Sequence, residues 1–151
     1  MIRKAIMEDV KKVHQLIEQY GEGSVIPRSL AELYEHLRDF YVYLDGDQVV
    51  GVAALHIAWD DLAEVRSLVV HKEHREKEVG TVLVRACLND ARGLGIKNVF
   101  VLTYAPGYFK KLGFDEVDKS ELPHKIWSDC VKCSKFPDCD ETAMLIKLGS
   151  Q

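Results

Sequence analysis

The chain predicts a mixed α/β (α+β) sandwich, one sheet with helices on both faces, and three observations carry that prediction. Two strand-like runs, Tyr41–Leu44 and Gln48–Ala58, are joined at Asp45-Gly46-Asp47, a strong hairpin signal. A later unit runs strand, charged turn, helix, strand between Leu62 and Leu102. Short β-rich runs then recur near the end of the chain. Adjacent hairpins early and a single crossover later describe a mixed sheet, not a doubly wound parallel one.

The elements follow in order. Met1–Ala5 reads as a short strand. Glu8–Tyr20 carries Val10, Val13, Ile17 and Tyr20 at helical spacing, with Leu16 beside them, and so predicts a helix with one buried face. Gly21-Glu22-Gly23 breaks it. Ser29-Leu30-Ala31-Glu32 is a capping-box pattern that opens a second helix, running to about Asp39. After the hairpin, Trp59-Asp60-Asp61 turns into a strand over Leu62–Val70. A helix from Gly80 shows Val84, Cys87, Leu88 and Ala91 at i, i+3, i+4 and i+7 and ends around Gly93 and Gly95. Asn98–Leu102 is a strand, Pro106–Lys111 a short helix stopped by Gly113, and Phe114–Val117 and Thr142–Leu148 are late strands.

With 151 residues the chain is expected to form one domain over residues 1–151. Hydrophobic residues at 47% and charged residues at 29% are those of a folded globular protein. The net charge of −4, without a basic stripe, argues against nucleic acid as a partner. No signal-like or membrane-length apolar run is present, so a cytoplasmic location without membrane association is expected, and the four cysteines are expected as thiols. A homodimer is left open.

The turn before the Gly80 helix is the most informative stretch. Arg75, Glu76, Lys77, Glu78 and Val79 stand where Ser, Thr, Asp or Asn would normally cap the first amides. A helix start leaves about four N–H groups without internal partners, and uncapped it suits an anion such as a phosphate. A lone Gly80 excludes a dinucleotide fingerprint or a P-loop, which need several glycines.

Three features together, AEVRSLVVHKEHREKEVGTVLV, NVFVLTYAPGYFKKLGF and the order of elements before them, resemble the GNAT superfamily of acetyl-CoA-dependent N-acetyltransferases. Within it, VIPRSLAEL, AEVRSL, VFVLTYAPGYFKKLGF and ELPHKIWSDC look most like short N-acetylglutamate synthase-type enzymes. The resemblance implies a mostly antiparallel sheet of about six to seven strands, acetyl-CoA as co-substrate and no metal cofactor. It implies a small amine as acceptor, with the α-amino group of glutamate foremost. The superfamily's turn pattern, R/Q-x-x-G-x-G/A, aligns with Arg75 to Gly80, so that Arg75, Glu76, Lys77, Glu78, Val79, Gly80 and Thr81 would surround the coenzyme's pyrophosphate. Glu78 replaces the pattern's first glycine and Glu76 a second common one, which should weaken coenzyme affinity.

The same resemblance implies the remaining roles. Glu64 would be the general base, its place within the sheet shifting its proton affinity toward a useful range. Leu68, Val69 and Val70 would offer backbone groups to the pantetheine arm. Arg28 and Arg66 would hold a dicarboxylate through guanidinium forks, with Tyr104 lining the same pocket. Thr103 would stabilise the leaving thiolate. Phe109 occupies the place where many superfamily members carry an acidic tyrosine, and Tyr108, one residue away, is expected to point elsewhere. Alternatives are a non-catalytic acyl-CoA-binding module or transfer to another amine, such as a polyamine or a protein N-terminus. Cys130, Cys133 and Cys139, with His124, Asp138 or Asp140, make half of a zinc motif, and free thiols packed by Trp127 and Phe136 are the favoured reading. His56, His71 and His74 show no ligand spacing and are expected at the surface or a strand edge.

Overall fold

The computed structural model describes residues 1–21, 28–75, 77–122 and 141–149. Within them seven strands form one sheet in the order β1-β2-β3-β4-β5-β7-β6. The strands are β1 (Ile2–Lys4), β2 (Phe40–Asp45), β3 (Gln48–Trp59), β4 (Leu62–Val70), β5 (Asn98–Thr103), β6 (Asp115–Val117) and β7 (Thr142–Lys147). The helices are α1 (Val10–Tyr20), α2 (Leu30–Glu35), α3 (Val79–Gly93) and α4 (Pro106–Lys111). Every neighbouring pair is antiparallel except β4 with β5. This is the mixed, mostly antiparallel sheet that the sequence predicts, and the β2–β3 hairpin turns at Gly46, whose φ of +62° suits glycine.

Helices cover both faces. On one, Val79, Leu83, Val84, Cys87, Leu88 and Ala91 of α3 pack against Ala53, Leu55, Ala63, Val65 and Val99. On the other, Val10, Val13, Leu16 and Ile17 of α1 and Leu33 of α2 pack against Val42, Val52, Ala54 and Val69. Burying one such side chain contributes about 1.5–3 kcal/mol, so the two apolar faces are what hold the helices on the sheet. Gly51 lets α3 come this close: a Cβ there would lie 2.7 Å from Val79 Cγ1. Among the described residues no helix is long and apolar enough to cross a membrane.

Several element ends shift from the sequence expectation, the first helix starting at Val10 instead of Glu8, and two of the shifts have a clear packing reason. The third helix begins at Val79 instead of Gly80, because the Val79 side chain belongs to the core beneath it. The second ends at Glu35, well short of Asp39. His36 leaves helical geometry at φ −104° and ψ 20°, and Leu37–Asp39 form a 3-10 turn. Phe40 is buried and must enter β2 opposite Ala54, so the chain cannot continue as helix.

One polar contact ties β1 to the start of α1. Asp9 is 1% exposed and accepts from Arg3 at 2.6 and 3.1 Å and from the Ile6 amide at 2.8 Å. Burial alone would push this carboxyl up, but the hydrogen bonds from Arg3 and Ile6 outweigh it and hold it below the usual carboxylate range. Asp9→Ala should therefore cost about 1.5–3 kcal/mol in urea denaturation at neutral pH. Because the folded-state value is depressed, that stabilisation is complete above the unfolded value of about 3.9 and disappears as pH falls through the folded one. Wild type and variant should converge in acid.

Candidate active site

β4 pairs with β5 over three positions, Leu62↔Asn98, Ala63↔Val99 and Glu64↔Phe100, although β4 continues to Val70 and β5 to Thr103. Beyond Glu64 the two parallel neighbours part. Just past that point β4 bulges against β3: Ala54 pairs with Arg66 but Val52 with Val69, so Ala53 faces both Ser67 and Leu68. Ser67 takes up the extra residue at φ +57°, a left-handed conformation that costs a non-glycine residue about 1–2 kcal/mol. The bulge shifts the alternation of the strand. Ala63 and Val65 face α3, and so do Leu68 and Val70 after the bulge, while Val69 joins the core under α1 and α2. Glu64 and Arg66 thus share the α1–α2 side of the sheet with Val69.

On that side lies an open cleft lined by the polar residues Arg28, Glu32, His36, Asp39, His56, Arg66 and Ser67 and the apolar residues Leu33, Phe40 and Ala54. The Arg28 side chain is only 9% exposed and stands 3.5 Å from Glu32; Arg66, 13% exposed, stands 3.7 Å from Glu64, itself 16% exposed. Guanidinium groups this little exposed are unlike solvated surface residues. Asp39 lies 3.1 Å from His56 Nδ1 and 3.8 Å from His36 Nδ1. Ser67 Oγ is buried and has no hydrogen-bond partner among the described residues. Sequence reasoning missed Ser67, His36 and Asp39. The first left a trace, since Leu68-Val69-Val70 breaks the alternation that Ala63 to Arg66 sets up. Tyr104 is exposed and is not among the residues lining this cleft, because it follows β5 after the strands have parted.

The turn between β4 and α3 is pinned rather than loose. His71 Nδ1 accepts from the Glu73 amide at 3.2 Å, which fixes the neutral tautomer, so Nε2–H donates to Tyr20 Oη at 2.9 Å. His74 is buried and its Nε2 lies 3.0 Å from Asp45 at the end of β2. The hydrogen bond to His74 holds the Asp45 carboxyl below its usual range. These two histidines are loop anchors, a role beyond the surface or strand-edge placement expected, and no spacing rule would reveal it because their partners lie 51 and 29 residues away. Arg75 folds back, donating to the carbonyls of Val70 at 3.2 Å and Tyr20 at 3.5 Å. Lys77 and Glu78 are exposed, and Glu76 lies outside the described residues.

The helix that follows has no side-chain cap, as the sequence predicts. Glu78 precedes it at φ +59°, the left-handed geometry that explains why glycine suits this position. Gly80 gives the same turn its clearance, since a Cβ there would lie 2.9 Å from Tyr108 Oη. That phenol shares a 3.0 Å hydrogen bond with Thr81 Oγ1. Tyr108 therefore points at the helix start, away from the direction of Phe109, which turns into the core with its ring 5.4 Å from that of Phe114. Thr103 is buried and its Oγ1 accepts from the Ala105 amide at 2.8 Å, which leaves its own proton to donate elsewhere. Cys87 is free and buried, and burial pushes its thiol up to about 12. Cys130, Cys133 and Cys139, with His124, Trp127, Phe136, Asp138 and Asp140, lie outside the described residues.

The parted strands, the uncapped α3 start and the clearance kept by Gly80 fit a long thiol ester with a diphosphate. Comparison with known proteins agrees. Residues 6–114 match the family model described as acetyltransferase (GNAT) family. An uncharacterized N-acetyltransferase of Chlorobaculum tepidum is 40% identical over 145 residues, covering 95% of this chain and 94% of its own. An amino-acid acetyltransferase of Mycobacterium tuberculosis is 31% identical over 132 residues, covering 85% and 76%. Among solved structures, N-acetylglutamate synthase from Neisseria gonorrhoeae, complexed with coenzyme A and N-acetyl-glutamate, superposes with a TM-score of 0.88 at 25% identity, covering 99% of this chain and 35% of the other.

Replacing Glu78 tests the turn directly. Glu78→Gly removes both a left-handed strain and a carboxylate beside the helix start. Coenzyme A should bind more tightly by about 0.3–2 kcal/mol in calorimetry, with thermal stability unchanged or raised. Looser binding would mean that the carboxylate does not oppose the diphosphate.

Proposed function

The chain belongs to the acetyltransferase (GNAT) family, and from that premise we propose that it moves the acetyl group of acetyl-CoA to the α-amino group of a small amino acid, glutamate foremost. The observation that carries the acceptor is the cleft itself: two largely buried guanidinium groups, Arg28 and Arg66, line it, with Glu64 3.7 Å from Arg66. A planar guanidinium matches a carboxylate with two parallel N–H donors, so two of them suit a dicarboxylate. The relatives named as amino-acid acetyltransferases, and the N-acetylglutamate synthase fold match, support the same choice.

Acetyl-CoA supplies an activated acyl carbon and a thiol leaving group. The chain's residues must bring in a neutral amine and receive the protons. An amino acid enters mostly as ammonium, and Glu64 takes one of its protons, directly or through a water, freeing the lone pair for attack on the thioester carbon. The second nitrogen proton, released as the amide forms, balances the departing thiolate, and the Thr103 hydroxyl donates to that sulfur. Ser67 Oγ, buried on the cleft wall without a partner among the described residues, is a further donor for an acceptor carboxylate, since a buried hydroxyl left unpaired is costly. Direct transfer is the simpler route: Cys87, the cysteine among the described residues, is too deeply buried, and its thiol held too far up, to serve as an acyl carrier.

Thiol release from acetyl-CoA across a panel of amino acids and polyamines tests the acceptor, and glutamate should give the highest kcat/KM. Glu64→Gln should lower kcat by about 10²–10⁴-fold with coenzyme affinity unchanged. An unchanged rate would remove Glu64 from the reaction. Arg66→Ala should reduce kcat/KM for glutamate more than for monocarboxylate amino acids. Equal losses on both would overturn the dicarboxylate reading.

A further inference from the structure

The same cleft carries chemistry that acetyl transfer does not need. His36 follows α2, Asp39 ends the 3-10 turn after it, and His56 lies on β3, so three metal-ligating side chains converge from two separate elements. Their ligand atoms all lie within 4.8 Å of one another. Asp39 Oδ2 stands 3.1 Å from His56 Nδ1 and 3.8 Å from His36 Nδ1, and the two rings meet edge to face at 5.6 Å. Around zinc, bonds of about 2.0–2.1 Å place tetrahedral ligand atoms about 3.3 Å apart, so two of the three edges nearly have that length already. His36 is half-exposed, and a rotation of its ring closes the third.

We propose that His36, Asp39 and His56 bind a divalent transition metal of the zinc class, and that its occupation inhibits acetyl transfer. Two imidazoles and one carboxylate leave a fourth coordination position, the arrangement of an open zinc site. All three side chains line the cleft, so that position faces the space in which the acceptor sits. Once Glu64 has taken the ammonium proton, the amino-acid nitrogen replaces a water on such a metal and gives it the freed lone pair. Apart from that proton transfer no covalent bond forms or breaks, but the lone pair needed for attack on the thioester is withheld. The metal is thus an inhibitor and not a cofactor. The inhibitory half rests on the amino-acid-acceptor reading above, whereas metal binding itself does not.

Calorimetry with zinc chloride on the full chain, without substrates, decides the binding. One equivalent should bind, and cobalt(II) should give the visible bands of a four-coordinate site without a near-ultraviolet thiolate band. His36→Ala and His56→Ala should each weaken binding at least about a hundredfold, since even supporting partners of metal ligands are worth about 10–100-fold. Melting curves should remain those of a folded protein, as both side chains are partly exposed. Serine at Cys130, Cys133 and Cys139 should leave the affinity as it is. No binding, unchanged affinity in both histidine variants, or loss of binding with the cysteines would overturn the site. In the acetyl-transfer assay, zinc should inhibit the wild type reversibly, relieved by chelator, with the sensitivity lost in His36→Ala. Zinc bound at the triad without inhibition would overturn the inhibitory half. An inactive metal-free protein would refute the acceptor reading, while the isotherms would still decide the site.

Discussion

Everything at the candidate site depends on how β4 is shared. At its start it is an interior strand, paired with β3 on one side and β5 on the other; after Glu64 the β5 side is released. A parallel pair that parts this way leaves main-chain donors and acceptors of β4 facing a gap inside an otherwise continuous sheet. Such groups are costly when buried without partners and useful when a ligand supplies them. The bulge at Ser67 sits within the same segment, and its left-handed φ is a local cost accepted just where the strands separate. Without it Val69 would fall out of phase with Glu64 and Arg66, and the core under α1 and α2 would lose a member.

The gap has use only if the turn into α3 holds its place, and that turn is fixed from three directions. Tyr20 at the end of α1 meets His71, Asp45 at the end of β2 meets His74, and Arg75 bonds back to Val70 and Tyr20. Two glycines then set the clearance, Gly51 beneath Val79 and Gly80 beneath Tyr108. Side-chain anchoring compensates for what the loop lacks, namely the glycines that would let it take left-handed geometry without strain. Glu78 adopts that geometry regardless.

The legible part of this molecule was whatever repeats at short range. The hairpin at Gly46, the buried stripe of α1, the boundaries of β4 and α4, and the uncapped start of α3 all follow from spacing and turn chemistry within a dozen residues. The family's motifs then identified Arg28, Glu64 and Arg66, and the first and last of these line one cleft with Glu64 beside Arg66. What remained hidden depends on register. His56 meets Asp39 only because β3 pairs with β2 as it does and α2 ends early; Tyr108 finds Thr81 only because the fold brings its side chain from α4 to the start of α3. A bulge can be read from a broken alternation, but its left-handed residue cannot be told from a slipped register until the partner strand is known.

The charges of the cleft explain how it can be polar and still stand without a ligand. Its cations are matched in pairs, Arg28 with Glu32 at 3.5 Å and Arg66 with Glu64 at 3.7 Å, and His56 Nδ1 lies 3.1 Å from Asp39. A wall of unmatched guanidinium groups, this little exposed, would carry a large desolvation cost in the free protein. Matching lowers that cost and keeps each side chain near one rotamer, so less ordering remains to be done on binding. On the glutamate reading, an incoming carboxylate competes with Glu32 for Arg28 and with Glu64 for Arg66. The second exchange couples recognition to chemistry: as the ligand draws Arg66 away, the Glu64 carboxylate is released from its ion pair and becomes able to turn toward the acceptor's ammonium. Recognition of the acceptor's side chain and activation of its amine would then be two consequences of one rearranged ion pair.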